Sequence, residues 1–245
     1  MIFQHPLAAR FNNLPLILCG PVVRRVEPEI ASVWVALKEP RFIELELYPG
    51  YCSVSAPDFS EKKPAFKSEK TPVLALGKHL FIGLVTIDTK GLLNPGAIFS
   101  YNMKFYPGKE DATHKEDLES LKLLDEPEIL GFKKDQLPSF LTAPEKLTDL
   151  RIAHGSCRKP HGPGQDGLAI LAEIMEADFT EPDHIHNPSI RPHYFFHTGD
   201  QIYADDCSPF LIEHYNDSGN FLLDKIELLP FPVDPEHDYS KQVDM

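Results

Sequence analysis

The chain has 245 residues, 42% of them hydrophobic and 25% charged, a length that fits one large domain or two ordinary ones and a composition that excludes wholesale disorder. With 24 Lys and Arg against 37 Asp and Glu the formal net charge is −13, which excludes nucleic acid as the main partner, because polyanion binding rests on clustered cations. No run approaches the roughly 18 apolar residues that span a bilayer, and four scattered cysteines, Cys19, Cys52, Cys157 and Cys207, do not make a disulfide scaffold.

The opening "MIFQHPLAARFNNLPLILCG" does not read as a secretion signal. Pro6, Asn12, Asn13 and Pro15 break its apolar part, and it lacks a basic start. Arg24-Arg25 is not followed by the apolar stretch of a twin-arginine signal. The expectation is a reducing, cytoplasmic setting.

Residues 17–106 read as β. In "FIELELY", Ile43, Leu45 and Leu47 alternate with Glu44 and Glu46, the period of a half-buried strand. "ASVWVAL" and "HLFIGLVTI" are further strands. In "AIFSYNMKFY", Phe99, Tyr101, Met103 and Phe105 face one way, with Ser100, Asn102 and Lys104 opposite. Turn residues separate these runs: Glu39-Pro40, Pro49-Gly50 and Asn94-Pro95-Gly96. The prediction for residues 1–106 is an antiparallel β-sandwich of fibronectin or immunoglobulin type.

Residues 107–149 are expected to be a linker wrapping the surface, with a short helix over "HKEDLESLKLL" and prolines 127, 138 and 144 as punctuation. From residue 150 the pattern becomes α/β. "LRIAHGSC" is a strand, "GLAILAEIM" a helix with Asp166 as N-cap, and "HYFFHTGD" a second strand. Such a β-α-β unit opens a parallel sheet, and ligand groups collect at the C-terminal ends of parallel strands. Cys157 and Asp200 both stand at such ends. After "GD" the sequence holds one short helix and much irregular chain, so residues 150–245 are expected to be an incomplete α/β domain.

Chemistry concentrates here. Seven of eleven histidines, His154, His161, His184, His186, His193, His197 and His214, fall between residues 154 and 214. His184-x-His186 resembles a ligand pair but fits a solvated loop better, and no CxxC or HExxH frames it. Gly162, Gly164 and Gly167 fit GxGxxG, with Asp183 sixteen residues on. A dinucleotide site needs its bend directly off the strand, and "RKPH" intervenes. Cys157 reads three ways: an inert buried cysteine, a thiolate ligand favoured by Arg158 and Lys159, or a nucleophile with His154 or His161 as base. Asp200 ends a strand where a carboxylate needs a partner or a metal. Tyr203 lies three residues on, close enough to turn its phenol back, and a phenolate suits a hard trivalent ion such as iron. Asp205 and Asp206 read as a solvated acidic end.

"HGSCRKPHGPG" paired with "HTGDQIYADD", behind a sandwich carrying "GPVVRRVEPEIASVWVAL", resembles the PhoD-like phosphatases, metallophosphoesterases of the calcineurin-like superfamily. The resemblance implies an N-terminal sandwich, a linker with "LPSF", and the start of a metallophosphatase domain. It implies hydrolysis of phosphomonoesters and phosphodiesters with iron and calcium as cofactors, zinc or manganese remaining open. Cys157 and Tyr203 would then be iron ligands, and Asp200 would bridge the metals. Arg158 is the candidate phosphate-facing cation, on charge and position. The family's later ligand motifs are not found after Tyr203. The expectation is therefore an N-terminal portion of a longer enzyme or a truncated gene product, inactive alone and prone to self-association through an open sheet. The alternative is a non-catalytic interaction module built on the sandwich.

Overall fold

The computed structural model describes residues 6–108, 116–127, 129–159, 166–180, 190–201, 203 and 209–225. A short helix, α1 (Leu7–Arg10), leads into β1 (Ile17–Glu27), β2 (Ile30–Leu37) and β3 (Phe42–Pro49). The short strands β4 (Phe66–Lys67), β5 (Thr71–Pro72) and β6 (Leu74–Ala75) follow, then β7 (Phe81–Asp88) and β8 (Ile98–Tyr106). Two further short strands are β9 (Glu116–Asp117) and β10 (Ser139–Leu141). The remaining elements are β11 (Ile152–Gly155), α2 (Gly167–Thr180), β12 (Tyr194–His197) and α3 (Pro209–Leu223).

Strands in the order β1-β2-β7-β6 form one antiparallel sheet. A second runs β10-β8-β3-β4, with β5 also on β3 and β9 on β8. Alternation places Val33, Val35, Val85 and Ile87 of the first sheet against Ile43, Leu45, Met103 and Phe105 of the second, and all are buried in one cluster. The molecule is thus mostly β, and the strands read in "ASVWVAL", "FIELELY", "HLFIGLVTI" and "AIFSYNMKFY" are β2, β3, β7 and β8. Gly20, at φ +94°, marks the irregularity in β1, between the register pairs Cys19 with Ala36 and Val22 with Trp34.

Two expectations change. "HKEDLESLKLL" was predicted to be helical, but its described residues form β9 and then turns. The Lys122 amide reaches the Glu119 carbonyl at 2.8 Å, and the Leu123 amide reaches the Leu118 carbonyl at 3.0 Å. The reason is tertiary: Leu118 and Leu124 are drawn into the core, which outweighs the local helical preference. Nor do the described residues of the predicted linker simply wrap the surface. Leu118, Leu124 and Leu137 are fully buried, and β10 extends the second sheet.

That packing covers the face of β3 expected to meet solvent. Glu44 and Glu46 are 4% and 3% exposed. Buried carboxylates need partners, and both have them. Glu44 accepts from Lys67 at 2.9 Å and from the Tyr106 hydroxyl at 3.1 Å. Glu46 accepts from the Tyr48 hydroxyl at 2.8 Å and pairs with Lys104, diagonally across on β8, where Lys104 stands opposite Glu44. Burial first, and then these carboxylates, raise the Tyr48 and Tyr106 phenols well above their ordinary range.

The predicted β-α-β unit is present. β11 and β12 pair in parallel, Ile152 with Tyr194 through Gly155 with His197, and α2 lies between them in the chain. The unit docks onto the sandwich through Arg191, just ahead of β12. Its guanidinium donates to the Tyr51 hydroxyl at 3.0 Å, the Ser139 hydroxyl at 3.0 Å and the Ser139 carbonyl at 2.7 Å. Phe179 of α2 meets the Tyr51 ring edge-on at 4.6 Å. α3 packs elsewhere on the sandwich: Phe221 stacks on His79 at 4.5 Å, and Asp217 accepts from the Leu7 amide at 2.7 Å. Among the described residues no helix is long and apolar enough to cross a membrane.

Candidate metal centre

The parallel pairing brings the ends of β11 and β12 side by side. Past Gly155 and His197 the ladder continues with the Thr198 amide on the Gly155 carbonyl at 3.1 Å. The next rung is the Arg158 amide on the Asp200 carbonyl at 2.7 Å. Two turns that are 43 residues apart (200 − 157) in sequence therefore share one short hydrogen-bonded edge. This is the position where α/β sheets gather ligand groups.

The approach is close enough to require a glycine. A Cβ on Gly199 would lie 2.7 Å from the Cys157 amide nitrogen and 2.8 Å from the Cys157 sulfur. Both are inside van der Waals contact, so any larger residue would push the Asp200 turn away from Cys157. Gly199 was not among the residues singled out from the sequence, although its place before Asp200 carried the signal. Gln201 braces the same edge, donating to the Ser156 carbonyl at 2.9 Å and the Gly199 carbonyl at 3.1 Å.

The Cys157 side chain meets the Tyr203 side chain and the Asp200 backbone. The Tyr203 hydroxyl hydrogen-bonds to the Cys157 sulfur, the Asp200 backbone amide donates to it, and the Ser156 hydroxyl stands 3.7 Å away. These contacts, in that order, hold the thiol below the ordinary cysteine range. Desolvation and the Asp200 charge pull the other way and do not win. Cys157 is exposed, which excludes the inert buried cysteine. The Lys159 ammonium lies 5.8 Å from the centre of the Tyr203 ring, adding positive charge at the rim.

The donor set fits a metal. Thiolate, phenolate and carboxylate together form a strongly anionic group suited to a high-charge ion such as iron. The Cys157 sulfur and the Tyr203 phenol are in contact, and a thiol already biased toward its anion is what exchange of a proton for a metal requires. Among the described residues no group of three or more His, Cys, Asp or Glu side chains gathers, here or at any other place.

Other sequence candidates fall out differently. Arg158 is turned to Asp166, with Nε at 3.2 Å and an NH2 nitrogen at 2.6 Å from its two carboxylate oxygens. Asp166 meanwhile caps α2 through the Leu168 amide at 3.1 Å, as the sequence predicted. Arg158 thus anchors the helix start to the Cys157 turn. His154 faces Thr198, with Nε2 2.6 Å from the hydroxyl, so it does not serve Cys157 as a base. His161, Asp183, His184, His186, Asp205, Asp206 and the first glycines of the GxGxxG run lie outside the described residues. Compared with known proteins, the chain matches no family model, no curated protein and no solved structure.

Proposed function

We propose that the β11–β12 edge is the iron half of a metal-dependent phosphoesterase site, with Cys157, Tyr203 and Asp200 as ligands. The observation that carries this reading is the meeting of the Cys157 sulfur with the Tyr203 hydroxyl and the Asp200 backbone amide across the parallel strand ends, with the thiol held toward its anion. The resemblance of "HGSC" and "GDQIY" to the PhoD-like phosphatase motifs supplies the reaction class, phosphomonoester or phosphodiester hydrolysis with iron and calcium. Lewis acidity toward phosphoryl oxygens, and acidification of a water, are what the metal contributes when bound. The chain's own part is positional. Gly199 lets the two turns meet, Gln201 ties them, and the Arg158–Asp166 pair fixes the Cys157 turn against α2.

On this reading Asp200 would be the carboxylate that also serves a second ion, as the resemblance implies. The chain is expected to bind iron and, at the iron, phosphate. Orthophosphate titrated into iron-loaded protein should shift its visible absorption saturably, and Asp200→Asn should remove that response. Iron loading without any phosphate response would overturn the phosphoesterase assignment.

A second reading, an interaction module, draws on exposed apolar surface at two places. The outer face of the first sheet carries a cross-strand row, Val22, Trp34 and Leu84, with Val22 40% and Leu84 53% exposed. Open apolar surface also marks the two-stranded sheet, where Ile152 and Phe196 are about half exposed. That surface supports self-association as the partner interaction.

A further inference from the structure

We propose that Cys52 and Lys62 form a reversible oxidative crosslink through one bridging oxygen. The Lys62 ammonium donates to the Cys52 sulfur at 3.1 Å. Both ends are held. The Cys52 amide donates to the Ser100 hydroxyl at 3.0 Å, and the Cys52 carbonyl accepts from the Leu137 amide at 2.9 Å. Lys62 closes the 3-10 turn Phe59–Glu61 by donating to the Phe59 carbonyl at 3.0 Å, and the Phe59 ring packs 5.4 Å from Tyr48. Among the described residues no other group claims the Lys62 side chain. Cys52 is 3% exposed, which shelters its sulfur from bulky thiols but not from a small oxidant.

The oxidant is a peroxide. It first takes the thiol to the sulfenic acid, releasing water. The Lys62 amine, as its free base, is then joined through the sulfenic oxygen at the expense of a second peroxide. The balance is R–SH + R′–NH2 + 2 H2O2 → R–S–O–NH–R′ + 3 H2O. One S–H and one N–H bond break, one S–O and one O–N bond form, and four electrons pass to the two peroxides. An inserted oxygen leaves sulfur and nitrogen close to where they already stand, whereas a direct S–N bond would drag them together against two anchored segments. The crosslink closes the loop of residues 52–62, and Tyr51, the residue next to it, accepts from Arg191. Oxidation therefore braces the sandwich at the point where the α/β unit docks.

The test is peroxide treatment of the full chain, tryptic digestion and tandem mass spectrometry. No Lys or Arg lies between Arg41 and Lys62, so Cys52 and Lys62 share one tryptic peptide, and the expected product is that peptide closed on itself with one oxygen gained and two hydrogens lost. Cleavage after Lys62 should disappear, and dithiothreitol should restore it. Lys62→Arg keeps the cation and should abolish the product, as should Cys52→Ser; if the buried serine variant fails to fold, the arginine variant carries the test. Cys52 oxidised to sulfinic acid with Lys62 still cleaved would overturn the proposal. So would a linkage that loses two hydrogens without gaining oxygen.

Discussion

At the scale of single residues, the balance at Cys157 turns on Tyr203. Its hydroxyl is the largest influence lowering the thiol's pKa, ahead of the Asp200 amide and Ser156. The sign follows from linkage: a depressed pKa stabilises the fold above the unfolded thiol's pKa, and that gain is lost as pH falls through the folded value. Alkylation of Cys157 in metal-free protein, followed peptide by peptide against pH, should therefore rise at lower pH than for an ordinary cysteine. Tyr203→Phe should move the profile back up, and an unmoved profile would contradict the contact. Cys157, Asp200 and Tyr203 were legible because a strand end and a three-residue spacing fix where such groups can point. The partner of Arg158 was not. Charge gives a side chain's sign but does not say which carboxylate will take it, and Asp166, already placed at the helix start, takes two of its three nitrogens.

At the scale of elements, β3 separates what alternation reveals from what it hides. The pattern of Ile43, Leu45 and Leu47 placed one face in the core, where all three are fully buried. It could not reveal that residues 116–141 cover the other face, because those residues carry their apolar positions without a regular period. Glu44 and Glu46 looked like solvent positions and are instead a buried ionic layer. Removing one charge strands the other, so Glu46→Leu should cost about 3 kcal/mol through Lys104 left half-buried and unpaired. The double substitution Glu46→Leu with Lys104→Met should regain most of it. Urea denaturation midpoints of the two variants decide this, and equal losses would mean that the pair is not coupled.

At the scale of the whole molecule, the α/β unit and the sandwich meet through few contacts, and Arg191 makes the most specific of them. It is 3% exposed, and its guanidinium donates to Tyr51 and Ser139 while lying 5.3 Å from the centre of the Phe132 ring. Arg191→Met should cost about 2–4 kcal/mol, since buried acceptors lose a charged donor. Arg191→Lys should recover little of it, because an ammonium cannot reproduce the planar fork. A loss in urea below about 0.5 kcal/mol for either variant would show that the docking does not depend on this residue. The same junction sets the direction of β12, and so the position of Asp200 beside Cys157.

The central claim is that two strand ends of one parallel pair build an iron site. It is tested most directly by loading the protein with ferric iron, removing the excess, and measuring bound iron with the visible spectrum. The account predicts about one iron per chain, with a ligand-to-metal band that disappears in Tyr203→Phe, and iron itself lost in Cys157→Ser and Asp200→Asn. A chain that stays metal-free, or one whose iron and colour survive all three substitutions, would contradict it.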